Sequence, residues 1–356
     1  MTHQFTWHAT GRSLLAAQLA AIETARSSVR LEVFKFVESE IGERYRAALV
    51  AAARRGVKVF VIVDAVGSFG LRRDYFAELG AGMRWSNELR LSSFSIRDHR
   101  KLLVVDETVA FVGGCNIATE YWGDGVTRGW LDVGVEAAGP VAGELAAEFD
   151  RQWQRAAGER VRSRRRIDCG DVEVLLSGPG FGRNALREAL RRELAGARAV
   201  AIMSAYFLPS RRLRRLLAMS GRVRLLLAGR SDVPAMQLAT RSLYRRLLRK
   251  RIEIWEYRPQ VLHAKLIVAD DVVYVGSSNL DPRSLRINFE VMLRIQDAGL
   301  AATARRQFEA ALAEHAEPVT LATWRASRSW WERLKQRAAY WFFARLDPEL
   351  PVGRGL

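Results

Sequence analysis

The sequence predicts an α/β protein built on an internal duplication. Three observations carry that reading: apolar β-prone runs alternate with helical stretches, one short motif occurs twice about half a chain apart, and 356 residues at 49% hydrophobic content can bury a large core. Disorder and collagen-like repeats are thereby excluded.

The elements follow in order. Ser13 to Ile22 reads as a short amphipathic helix closed by Glu23 rather than a leader peptide, and no stretch reaches the roughly 18 to 20 apolar residues that a bilayer span needs. In the first half the strand candidates are Val29 to Val37, Val57 to Asp64, Leu102 to Val105, Val109 to Val112 and Asp132 to Glu136, with a helix over Glu43 to Arg55. In the second half they are Val172 to Leu176, Ala199 to Phe207, Val223 to Ala228, Ile252 to Tyr257, Leu266 to Ala269, Val272 to Val275 and Phe289 to Ile295. A helix over Asn184 to Leu194 intervenes. The Arg-rich run Arg160 to Arg166 marks the junction, which divides the chain into 1–160, 161–320 and a basic, aromatic tail over 321–356.

Charge narrows the partners. Lys and Arg total 56 against 39 Asp and Glu, a formal net charge of +17, so the surface attracts polyanions, with nucleic acid and anionic lipid both eligible. Only six of the basic residues are lysine, so a lysine in a motif is informative. Cys115 and Cys169 alone build no disulfide framework or cysteine zinc cluster, which is compatible with a reducing compartment.

The duplicated motif is His-x-Lys-x4-Asp: His99, Lys101 and Asp106 in the first copy, His263, Lys265 and Asp270 in the second. Each copy runs on to a small-residue turn and an asparagine, Gly113-Gly114-Cys115-Asn116 and Gly276-Ser277-Ser278-Asn279. Each looks like a hairpin with the Asp at its turn, and residues two apart on a strand share a face, so each His and Lys point together into one pocket. For Asp106 and Asp270, turn geometry and a role in the site fit equally well. The glycines fit either a tight turn or phosphate contact.

Two imidazoles with two ammonium groups and two amides suit phosphodiester chemistry without a metal or other cofactor: one His attacks phosphorus, the other protonates the leaving alkoxide, and the cations and amides hold the non-bridging oxygens. Asn116, Asn279, Gly114 and Ser277 are therefore candidate phosphate contacts. Each His also needs an acidic partner to fix its tautomer. Glu290 is the expected partner in the second half, and Asp132 in the first.

These residues resemble the phospholipase D superfamily over most of the chain. Glu32-Val-Phe34-Lys-Phe36, Arg55-Gly56-Val57-Lys-Val59 leading to Asp64 and Gly67-Ser68, Ser204-Ala-Tyr206-Phe207-Leu-Pro209, and Asn279-Leu-Asp281-Pro-Arg283-Ser284 with Asn288 and Glu290 are similar to bacterial cardiolipin synthases. The resemblance implies two pseudo-symmetric α/β sandwich halves with the active site at their interface, and a phosphohistidine intermediate with His99 as nucleophile and His263 as general acid and base. It implies a phosphatidyltransferase acting on phosphatidylglycerol, with phosphatidylethanolamine a further candidate substrate. Hydrolysis to phosphatidic acid and a nuclease of the same superfamily are the alternatives, and a non-catalytic membrane scaffold fits poorly with two intact motifs. The short type without N-terminal membrane helices implies peripheral attachment, on the cytoplasmic face of the bacterial inner membrane. The tail from Trp324 supplies a candidate interfacial helix, with Trp331, Leu334, Ala338, Trp341 and Phe342 on one face, Arg328, Lys335 and Arg345 adding charge, and Trp330, Tyr340 and Phe343 adding aromatics. Packing on the protein's own core fits the same spacing.

Overall fold

The computed structural model describes residues 2–87, 96–162, 164–179, 184–326 and 329–346. The first half forms strands β1 (Gln4–His8), β2 (Ser28–Val33), β3 (Lys58–Asp64), β4 (Met83–Ser86), β5 (Lys101–Val105), β6 (Val109–Gly113) and β7 (Gly134–Ala138). They make one sheet in the order β1-β7-β6-β5-β2-β3-β4. The second half forms β8 (Arg166–Asp168), β9 (Val172–Ser177), β10 (Ala199–Ser204), β11 (Arg222–Ala228), β12 (Glu253–Tyr257), β13 (Lys265–Ala269), β14 (Val272–Gly276), β15 (Glu290–Gln296) and β16 (Ala316–Val319). Its sheet runs β16-β12-β11-β10-β13-β14-β15-β9-β8, so seven strands repeat the first sheet's order and β8 and β16 are additional edges.

Local chemistry explains the elements. The helix over Gly11–Thr24 is closed at its start by a Thr10 and Ser13 capping box, and that over Glu40–Arg54 by Ser39. Both bury apolar stripes on the outer face of the first sheet. The inner faces bear the long helices Pro140–Ala156 and Ala298–His315, whose Leu145, Phe149, Ala304 and Phe308 are wholly buried in a cluster that draws on both sheets, including Val112 and Val135 from one and Leu266 and Val275 from the other. One core therefore fuses the halves. Four short edge strands, β1, β4, β8 and β16, were not expected from the sequence; each has only three to five residues and pairs on the outside of strands that were. The strand expected over Asp132 to Glu136 begins at Gly134, and that expected to reach Val37 ends at Val33.

Candidate active site

Each His stands just before its strand rather than on it. β5 opens at Lys101 and β13 at Lys265, and the preceding histidine is held by the other half of the molecule. The His99 amide donates to the Phe289 carbonyl at 2.9 Å, and the His263 amide donates to the Leu131 carbonyl at 2.8 Å. Phe289 and Leu131 each immediately precede an acid, Glu290 and Asp132. The short bridges Asp98 to Phe289 and Leu131 to Leu262 thus carry each acid across the junction.

The acids consequently pair crosswise. His99 Nδ1 lies 3.1 Å from both Glu290 carboxylate oxygens, and His263 Nδ1 lies 2.6 Å from Asp132 Oδ2. This corrects the expectation that each His takes the acid of its own half. A carboxylate facing Nδ1 accepts when ionised, so each acid holds a proton on Nδ1 of its ring and leaves the Nε2 atom for chemistry. Both acids are buried, and the histidine side chains are 12% exposed at His99 and 5% at His263.

The lysines lie at the same place. Lys101 Nζ donates to the His99 carbonyl and Lys265 Nζ to that of His263, each at 2.6 Å, and Lys265 Nζ also lies 2.7 and 2.9 Å from the two His263 ring nitrogens. Alternation turns Arg100 the other way, into a buried cluster with Glu32 and Glu148.

Three further assignments change. The Asp106 carboxylate accepts from the amides of Arg26, Ser27 and Ser28, and that of Asp270 from those of Arg198 and Ala199. Both sit at positive φ in the hairpin turns, five residues beyond the Lys and so roughly 16 Å along the strand. They tie turn to neighbouring strand and are not part of the pocket. At Gly114 a Cβ would lie 2.3 Å from Asp132 Oδ1, so the glycine makes room for the carboxylate, and its amide donates to the Val133 carbonyl at 3.3 Å. Ser277, its counterpart, donates to Glu290 Oε2 at 2.5 Å and so anchors that acid.

The asparagines diverge as well. Asn116 accepts from the Lys35 amide and donates to the Tyr121 hydroxyl, which stands 3.4 Å from His263 Nε2. The Asn279 side chain is buried and its Oδ1 has no partner. Sequence reasoning missed Tyr121 altogether, along with the rings that flank the histidines: Phe34 at 4.9 Å from His99, and Trp130 at 5.5 Å from His263. Phe34 lies inside a stretch read for its family resemblance and Trp130 stands two residues before Asp132, whereas Tyr121 has a serine, Ser284, at the matching distance after the second asparagine and gives no repeat signal.

The family described as "Cardiolipin synthase, PLD-like domain" matches residues 19–153 and 190–312. The chain belongs to the phospholipase D-like cardiolipin synthase family. It is 31% identical to cardiolipin synthase B of Salmonella typhi and to that of Escherichia coli K12, in each case across 93% of this chain and 86% of the relative. Cardiolipin synthase A of Pectobacterium carotovorum is 28% identical across 92% of this chain and 72% of its own. Among solved structures, phosphatidylserine synthase of Haemophilus influenzae shares the fold with a TM-score of 0.74 at 14% identity, covering 98% of this chain and 94% of that one.

In this cardiolipin synthase family member, electrostatics separate the two histidines. Burial drives His99 well below its ordinary value, and the charges of Lys101, Lys265 and His263 push the same way. Burial and Lys265 also lower His263, but Asp132 offsets them. Lys101 is pushed down to about 7, mainly by burial, and Glu290 is pushed up to about 7, mainly by burial, each partly held back by the other. A bell-shaped kcat profile centred near pH 7 is expected. Protonating Glu290 removes the anion that supports a charged His99, and deprotonating Lys101 removes a cation from the pocket. In Lys101→Arg the cation cannot be lost, so the alkaline limb should move upward while the acid limb stays, as read from kcat against pH.

The tail does two things. Tyr340, Phe343 and Ala344 pack on the second half's outer core, while Trp330, Trp331, Leu334, Trp341 and Phe342 of the same segment are exposed. One part of this segment thus packs on the core, and its other face is left exposed. Arg328 and residues 347–356 lie outside the described residues. Among the described residues no helix is long and apolar enough to cross a membrane.

Proposed function

We propose that the protein is a phosphatidyltransferase that makes cardiolipin through a phosphohistidine. The observation that carries this reading is the crosswise pairing, which gives each imidazole a fixed tautomer and leaves two Nε2 atoms for the reaction. His99, held neutral by burial and nearby cations, attacks the phosphorus of a phospholipid through Nε2. As the P–N bond forms, the P–O bond to the head alcohol breaks and His263, which enters as an imidazolium balanced by Asp132, gives that alkoxide its Nε2 proton. A second alcohol, the glycerol hydroxyl of phosphatidylglycerol, then loses its proton to His263 and attacks phosphorus, breaking the P–N bond and restoring both histidines.

Lys101 and Lys265 balance the charge of the non-bridging oxygens, and the Asn279 side-chain N–H is the group that would donate to one of them. Tyr121 positions His263. The basic, aromatic tail supports peripheral attachment to the cytoplasmic face of the bacterial inner membrane, with its exposed tryptophans at headgroup depth.

The test incubates the purified protein, with chelator, with phosphatidylglycerol vesicles with and without phosphatidylethanolamine, and follows lipids and released alcohols by mass spectrometry. Cardiolipin with glycerol or ethanolamine is expected. Phosphatidic acid alone would make the protein a hydrolase, and no lipid turnover would redirect attention to nucleic acid substrates.

A further inference from the structure

The outer face of the second half carries two adjoining cavities lined by none of the motif histidines or lysines. One, of about 370 Å³, is lined by Asn184, Arg187, Arg191, Ser210, Arg212 and Leu213, among others. The next, of about 250 Å³, shares Arg187 and Ser210 and adds Arg286, Tyr340, Ala344 and Arg345, so the C-terminal helix forms one of its walls. Glu188 is the one carboxylate among the described lining residues.

Arginines elsewhere in this half are paired: Arg192 and Arg294 meet Glu173, and Arg241 meets Glu256. Arg187, Arg212, Arg286 and Arg345 take no carboxylate partner among the described residues. Burial lowers the affinity of Arg187 for its proton, and Arg286 and Arg212 add repulsion. Like charges gathered in a concave, partly apolar groove without a counterion are what a phosphate ligand neutralises, since guanidinium groups match phosphate oxygens two at a time. The groove also has the walls an amphiphile needs. Leu208, Leu213, Leu216 and Leu285 line it, and the helix that closes it exposes Trp330, Trp331 and Trp341 on its other face.

We propose that this groove binds the phosphate headgroup of an anionic phospholipid that does not react. Its position gives such binding a consequence. Pro282, Leu285 and Arg286 belong to the segment between Asn279 and Glu290, so a bound headgroup braces the loop whose two ends carry a candidate phosphate contact and the acid on His99. The choice of a lipid over a free anion rests on the membrane reading above; the groove itself rests on the arginines.

The test compares two full-length proteins, both carrying His99→Ala so that no lipid is consumed. One adds Arg187→Gln, Arg212→Gln and Arg286→Gln, and the other adds Arg26→Gln, Arg54→Gln and Arg160→Gln, three exposed arginines that change net charge equally. Binding to phosphatidylcholine vesicles containing phosphatidylglycerol is expected to weaken about tenfold more in the groove variant than in the control. Equal weakening would mean diffuse attraction and overturn the proposal. Monomeric short-chain phosphatidylglycerol should raise the melting temperature of the control and not of the groove variant. The same groove-dependent rise with inorganic phosphate alone would overturn the lipid assignment. Because turnover is not read, failure here leaves the transferase reading standing, and failure of that reading leaves this binding measurable.

Discussion

Replacing His99 with alanine is expected to lower phosphatidyl transfer by about 10⁴-fold or more, to the level of the double variant with His263→Ala, because residues that act as one unit are not additive. The two single variants should nonetheless differ in what they accumulate. His263 supplies a proton to the departing alcohol, so its loss matters little when the leaving group is a stable anion such as nitrophenolate. With a phosphatidyl nitrophenol ester, His263→Ala should still release one equivalent of nitrophenolate and retain a phosphate on the protein. His99→Ala should release none. A burst in His99→Ala and none in His263→Ala would reverse the assignment of nucleophile and acid. The physical ground for the expected order is that His99 is driven further below its ordinary value than His263, whose proton Asp132 helps to keep. Groups pushed apart in this way divide the labour of base and acid.

The second large effect is expected at the crosswise acids. Asp132→Asn replaces the acceptor on His263 Nδ1 with an amide that can donate there, which favours the wrong tautomer and removes the anion that supports a charged ring. A fall in kcat of about 10² to 10⁴-fold with little change in KM is expected. Gly114→Ala should approach the same result without touching a polar group, because its Cβ would stand 2.3 and 2.6 Å from the two Asp132 oxygens. Thermal unfolding measured beside the kinetics separates displacement of the carboxylate from collapse of the fold. If Gly114→Ala stayed folded and kept full activity, the glycine would not be serving Asp132.

Much of this site was legible in the sequence. The His and Lys pairs recur at one internal spacing, and chemistry that needs two imidazoles has few other uses for them. The same motif misleads at Asp106 and Asp270, since adjacency along a string says nothing of which end of a strand a side chain occupies. Asn116 and Asn279 read as equivalents and are not: one is saturated by Lys35 and Tyr121, the other has a bare oxygen.

The sequence by itself determined the duplication, the α/β alternation, the basic surface and the candidate reacting groups, because periodicity and repetition are local properties of a chain. Which acid serves which histidine was decided only by tertiary structure. His99 and Glu290 are 191 residues apart, and His263 and Asp132 are 131 apart. They meet because a shared core fuses the halves and two short bridges carry the acids across it. An active site formed between two copies of one motif is complete only when both are folded against each other, and no pattern within either copy records that contact.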